Sequence, residues 1–163
     1  MNTTTPQPID QVREFIKNSA REVFSTMFNI NARSAAVRDF RGGGEMLVVG
    51  SVGFIGDANG VVYVYVREPF ARTLASRMLG LAEAELDGHE MVNDVIGELS
   101  NMIVGAVKSR LCDTGVPCVL TIPSIVRGQN LSAEPALGSE CRLLSIICET
   151  EPILLEILMK RST

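Results

Sequence analysis

Two β-rich runs, MLVVGSVGFIG over 46–56 and VVYVYVRE over 61–68, are separated by only the four residues DANG. Strands this close in sequence pair antiparallel, because a parallel crossover takes a dozen residues or more. Asn59-Gly60 in the link suits a tight hairpin turn. Everything else in the chain has to be arranged around that hairpin. Before it, Ile9, Val12, Ile16, Ala20, Val23, Phe24 and Met27 recur at three- and four-residue steps, which predicts a helix from Ile9. Asp10, or Thr5 near Pro6 and Pro8, marks its start, and Asn29 or Asn31 its end. Residues 1–8 read as a disordered lead-in, 33–40 as a weaker strand, and RGGGE over 41–45 as a loop.

After the hairpin, Pro69 opens a short helix, PFARTLASRML, and Gly80 stands where a left-handed C-cap belongs. A long helix follows over 88–111, with Asp87 and Glu90 spaced as a capping box and Gly115 and Pro117 closing it. The remainder reads as strands over 118–127, 140–149 and 152–160, the last two parted by the turn signal ETEP. This order does not alternate strand and helix. It predicts an α+β domain over 9–163, an antiparallel sheet with two long helices and one short helix on one face. Each half echoes the other, a long helix and then strands.

A length of 163 residues suits one domain. The net charge of −4 excludes general binding to a phosphate backbone. No apolar run reaches the roughly 18 residues of a membrane span. The N-terminal MNTTTPQPIDQ lacks the basic and apolar regions of a secretory signal. Cys112, Cys118, Cys141 and Cys148 form no C-x-x-C pair and do not cluster with the one histidine, His89. They read as mostly buried, reduced thiols of a cytoplasmic protein. One histidine and no G-x-S-x-G argue against a serine hydrolase, and the scattered cysteines against zinc. Gly42-Gly43-Gly44 lacks the Lys-Ser/Thr of a P-loop.

The long helix carries the chemistry. Val95, Leu99, Ile103, Ala106 and Val107 share one arc, with Ile96 and Leu111 at its edge, and predict the buried face. The opposite arc holds Asp94, Glu98, Asn101, Gly105 and Lys108, with Gly97 at the edge. Glu98 and Asn101 are neighbours at an i, i+3 spacing. Asn is a mediocre helix former and an interior Gly costs about 1 kcal/mol against Ala. Gly105 removes bulk beside Asn101 on the exposed side, where no core packing asks for a small residue. Such a low surface with a projecting amide and carboxylate suits close approach by another protein. A carboxamide is neutral and a poor base, yet its donors and acceptor can hold a water in line with an electrophile. A glutamate can lock onto a partner's lysine or arginine. Ser100 faces the helix flank and has no assigned role, and Lys108 could steer an acidic partner.

The pattern D-x-x-x-E-x-x-N over 94–101, with Pro123 after a further 21 residues, resembles the signature of the CheC, CheX and FliY phosphatases of bacterial chemotaxis. The element order fits over about 9–160, and a single full motif in a short chain looks most like CheX. The resemblance implies a CheC-like fold and hydrolysis of phosphoaspartate on a response-regulator receiver domain such as CheY. Asn101 would then orient the attacking water and Glu98 would pair with the receiver's lysine. Asp94, Gly97, Gly105 and Lys108 would line the docking face, and Pro123 would belong to the motif. This chain would bind no cofactor, and Mg2+ would sit in the partner. A homodimer is also implied. The first helix repeats the spacing with Asp10, Glu14 and Lys17, so that Lys replaces Asn and one active surface per chain is expected. The same helix face would also serve a non-catalytic adaptor binding a receiver or a flagellar-switch protein.

Overall fold

The structure is a computed structural model that describes residues 8–160. The expected lead-in, with Thr5 and Pro6, lies outside the described residues except for Pro8, which already opens a helix. In chain order the elements are α1 (Pro8–Phe28), β1 (Arg33–Ala35), β2 (Met46–Gly56), β3 (Gly60–Arg67) and α2 (Glu68–Leu79). A 3-10 turn (Glu83–Glu85), α3 (Glu90–Asp113), β4 (Cys118–Leu120), β5 (Ser124–Gln129), β6 (Ser139–Cys148) and β7 (Glu151–Lys160) follow. All pairings are antiparallel, in the order β1-β6-β7-β3-β2, with β4 and β5 both on the free edge of β2.

Strand alternation decides where the core lies. Val48, Val52 and Phe54 of β2, Val62, Val64 and Val66 of β3, and Ile153, Leu155 and Ile157 of β7 face the helices. Ile16, Ala20 and Phe24 of α1, Phe70 and Leu74 of α2, and Leu99 and Ile103 of α3 close over them. The three helices therefore share one face, as the element order predicts. The other face carries a smaller cluster of Phe40, Leu47, Val49, Tyr65 and Leu154. There Arg41 holds Asp39 at 2.9 and 2.8 Å and Glu156 at 3.0 Å, and the Tyr65 hydroxyl donates to Glu156 at 2.8 Å.

The echo between the halves is visible as an exchange. α1 packs on β6 and β1 pairs with β6, whereas α3 packs on β2 and β5 pairs with β2. Each half docks its helix and next strand on the other half's hairpin, and the hairpins meet where β3 pairs with β7.

Several local expectations are corrected. The first hairpin has no two-residue Asn59-Gly60 turn: Phe54 already pairs with Gly60, while Ile55 and Gly56 run on to pair with β4. Asn59 instead bridges Gly56, accepting from its N–H at 3.2 Å and donating to its carbonyl at 3.0 Å. The run 118–127 is two strands, broken at Thr121, whose hydroxyl accepts from the Gly53 N–H at 2.8 Å. The capping box does not form, because Gly88 turns the chain at φ 66° and the N-cap is His89, two residues past Asp87. Met27 is 41% exposed and Phe28 takes the buried place expected of it. Pro69, the left-handed Gly80 at φ 67° and the end of α1 at Asn29, φ 53°, agree with the sequence reading.

Candidate functional site

α3 is anchored from below by a close fit. Its buried face is Val92, Val95, Ile96, Leu99, Ser100, Ile103, Val104, Val107 and Leu111; Ala106 is only half-buried. Ser100, given no role from sequence, is fully buried and its hydroxyl donates to the Ile96 carbonyl at 2.7 Å. A Cβ on Gly50 of β2 would overlap that hydroxyl, so glycine there is what lets helix and sheet meet. From α1, Ser19 donates to the Ile103 carbonyl at 2.8 Å and ties the two long helices together. A buried hydroxyl paired in this way carries no desolvation penalty.

The outer face is built in the opposite manner. Asp94 and Glu98 are exposed, and Asn101, Gly105 and Lys108 are half-buried. Among the described residues, the side chains of Asp94, Glu98 and Asn101 have no hydrogen-bond or ion-pair partner. A Cβ on Gly105 would meet nothing within 4 Å, so the surface beside Asn101 is open. Glu98 and Asn101 are thus brought together with their hydrogen-bonding capacity unspent. The helix presents them as a fixed pair, since one turn separates their backbones.

Gly97, expected at the edge of the exposed stripe, is buried. A Cβ there would stand 3.8 Å from Ile125 and 3.9 Å from Pro123, so the glycine lies beneath the β4–β5 edge. Pro123 therefore has two structural effects. It falls in the gap between β4 and β5, and it packs beside the turn that carries Glu98.

The first-helix echo is engaged within the chain. Asp10 accepts from Arg142 at 2.9 Å, and Glu14 pairs with Lys17 at 2.8 Å. His89 is exposed, and its side chain makes no cap bond. The cysteines are free thiols: Cys118 and Cys148 are buried, Cys141 is half-buried and Cys112 is exposed. Burial pushes the Cys148 thiol up to about 12 and raises those of Cys118 and Cys141, which makes all three poor nucleophiles. Among the described residues no three His, Cys, Asp or Glu side chains gather to hold a metal, and no helix is long and apolar enough to cross a membrane.

Sequence reasoning missed three features around α3. Met91, 38% exposed, stands on the same stripe one turn before Asp94. Ile122, 86% exposed, adjoins Pro123. Arg127 of β5 donates to Asn93 Oδ1 at 2.6 Å and to Glu68 Oε2 at 2.7 Å, joining β5 to the starts of α2 and α3. The two-residue period through Pro123, Ile125 and Arg127 was the available signal.

The family model of chemotaxis phosphatase CheX matches residues 48–147, more than half of the chain. No curated protein matches the chain in sequence. Among solved structures, the chemotaxis protein CheX of Vibrio vulnificus is 20% identical with a TM-score of 0.79, over 98% of this chain and 100% of that one. A CheC-like superfamily protein of Shewanella sp. PV-4 is 23% identical with a TM-score of 0.78, over 99% and 100%. A CheX–CheY–BeF3–Mg2+ complex from Borrelia burgdorferi matches at 20% identity and a TM-score of 0.74, over 92% and 98%. These likenesses establish the fold.

Proposed function

The chain belongs to the CheX family of chemotaxis phosphatases, and from that premise we propose that it hydrolyses phosphoaspartate on a CheY-like receiver domain. The observation that carries this reading is the pair Glu98 and Asn101, standing on the outer face of α3 without a side-chain partner among the described residues. The Borrelia burgdorferi neighbour, a CheX in complex with CheY and Mg2+, supports a receiver as the partner.

In this reading the receiver brings the acyl phosphate, its Mg2+ and a lysine. Glu98 pairs with that lysine and sets the approach. Asn101 then enters beside the phosphoryl group, where its carbonyl oxygen accepts from a water and its NH2 donates toward a phosphoryl oxygen. The water oxygen bonds to phosphorus, the bond from phosphorus to the aspartyl oxygen breaks, and the aspartate carboxylate and inorganic phosphate leave. A neutral amide moves no proton; its contribution is orientation, which suits a reaction in which positioning and electrostatics are most of what a protein supplies. Asp94, Gly105 and Lys108 line the contact, and Gly105 leaves room for it. The chain itself binds no cofactor, works in the cytoplasm and pairs as a homodimer.

The test follows phosphate loss from a phosphorylated receiver with and without the chain. Acceleration by the native chain and its loss in Asn101→Ala are the expected results. A complex that forms while phosphate persists as long as in receiver alone would overturn the reading in favour of the adaptor. An Asn101→Ala chain as fast as the native one would overturn the mechanism.

A further inference from the structure

β5 and the residue just before it meet α3 along one edge, and Pro123, Ile125 and Arg127 each lie against the helix within or just before the motif. Pro123 and Ile125 lie against Gly97. Arg127 grips Asn93, the residue immediately before Asp94, through Nε at 2.6 Å. Its Nη1 holds Glu68, the first residue of α2, at 2.7 Å. Its Nη2 is buried and has no hydrogen-bond partner among the described residues.

Stability alone is a poor account of this arrangement. The pair with Glu68 is only partly buried, where an ion pair contributes little, and the buried, unpartnered Nη2 is unfavourable. What an arginine supplies and an apolar residue does not is direction. Its planar fork donates two bonds only at fixed angles, so two partners on two helices are locked relative to the strand that carries it. The fit of Ser100 over Gly50 and the Ser19 bond to the Ile103 carbonyl fix the middle of α3, and they leave the tilt of its first turns to other contacts. Arg127 acts on the N-terminal end through Asn93, about one and a half turns before Glu98.

We propose that Arg127 is a positioning residue for the phosphatase surface: bonded to Asn93 and Glu68, it sets the tilt of α3 at which Glu98 and Asn101 meet the acyl phosphate. This rests on the function proposed above. Ile125 and Pro123 complete the same wall.

The experiment compares Arg127→Met, Arg127→Lys and Asn93→Ala with the native chain by two readouts. The first is backbone amide hydrogen exchange of the free protein, comparing 93–101 with α1. The second is kcat and KM for phosphate release from a phosphorylated receiver. Arg127→Met is expected to speed exchange over 93–101 about tenfold with α1 unchanged. It should lower kcat about tenfold with KM within about twofold, as a misplaced catalytic group does. Asn93→Ala, a smaller perturbation that leaves the Glu68 bond in place, should move both readouts in the same direction. Arg127→Lys should stay low, because an ammonium cannot hold two fixed directions. Unchanged exchange over 93–101, equal loosening of both helices, or a lysine variant as active as the native chain would overturn the proposal. If the native chain speeds phosphate loss from no receiver, the proposed function fails, while the exchange pattern still decides whether Arg127 sets the helix.

Discussion

Asp10, Glu14 and Lys17 occupy on α1 the positions that Asp94, Glu98 and Asn101 hold on α3. The two helices lie side by side on one face of the sheet, each docked on the other half's hairpin. On α1 the polar groups are engaged: Asp10 with Arg142, and Glu14 with its own Lys17. On α3 the corresponding groups have no partner among the described residues, and a glycine keeps the surface beside them low. One spacing thus makes a self-satisfied surface on one helix and an unsatisfied one on the other. A site is made by what its groups leave unbonded, and the spacing alone does not decide it.

The most severe way to break this comparison is to give α3 the residue of α1. Asn101→Lys puts a cation one turn from Glu98, where Lys17 sits relative to Glu14. The pair should close on itself. We expect hydrolysis of receiver phosphoaspartate to fall by at least about 100-fold, the size of effect that misplacing a catalytic group produces, with the melting temperature nearly unchanged. The reciprocal Lys17→Asn should leave the rate where it was. Equal rates for native and Asn101→Lys chains would mean that the open pair on α3 is not what the reaction uses.

Two glycines separate the inner and outer faces of α3 next. Gly50 of β2 lies under Ser100, where an added methyl has no room. Gly50→Ala should cost about 1–3 kcal/mol, the usual range for overpacking. Gly105 meets nothing, and Gly105→Ala should stabilise by about 0.5–1 kcal/mol, since glycine in a helix interior is unfavourable by that amount. Denaturant melts give both signs directly. Gly105→Phe should keep the fold and weaken docking of the receiver.

Much of the fold was legible because its signals lie within single elements. The apolar steps of α1, the bounds of β2 and the Pro69 and Gly80 limits of α2 are read from neighbouring residues. The outer stripe of α3 was legible for the same reason. What escaped depends on contacts between elements. The split of 118–127 into two strands follows from Thr121 bonding Gly53, and the missing Asn-Gly turn from β2 running on to pair with β4. Ser100 looked like a flank residue until Gly50 provided a hollow for it. Gly97, at the edge of the stripe, suited either packing or contact, and Pro123 and Ile125 make it a packing position. Arg127 reaches the starts of α3 and α2 only through Asn93 and Glu68, at sequence separations of 34 and 59.

Acid perturbs the opposite side of the sheet, where Arg41 joins Asp39 and Glu156 away from the helices. The Arg41 guanidinium bonded to Asp39 holds its carboxyl below the ordinary 3.8. A carboxyl depressed in the folded state adds stability above its unfolded value and loses it as the pH falls through the folded one. The loss should therefore begin near pH 3.8 and continue below it. Because Asp39 is partly exposed, solvent screening keeps the effect under about 1 kcal/mol. Asp39→Asn should flatten this part of the stability curve and leave hydrolysis at neutral pH unchanged. A slower Asp39→Asn chain would bring the helix-free face into the mechanism.

The smallest effect sharpens the contrast most. Glu14 and Lys17 form an i, i+3 pair at 2.8 Å, with side-chain exposures of 53% and 29%. Coulomb attraction there is weakened by water, and both side chains lose freedom in meeting. Such pairs contribute about 0.2–0.5 kcal/mol on a helix and less in salt. Glu14→Gln should therefore lower stability by no more than about 0.5 kcal/mol, and by nothing measurable at 1 M salt. Glu98→Gln should not lower stability at all, since its carboxylate has no partner to lose among the described residues, yet it should weaken the receiver interaction clearly. One isosteric change at matching positions would then move stability slightly on α1 and function alone on α3. If Glu98→Gln instead destabilises the free chain as much as Glu14→Gln does, the carboxylate has a partner inside the protein, and the distinction between the two helices disappears.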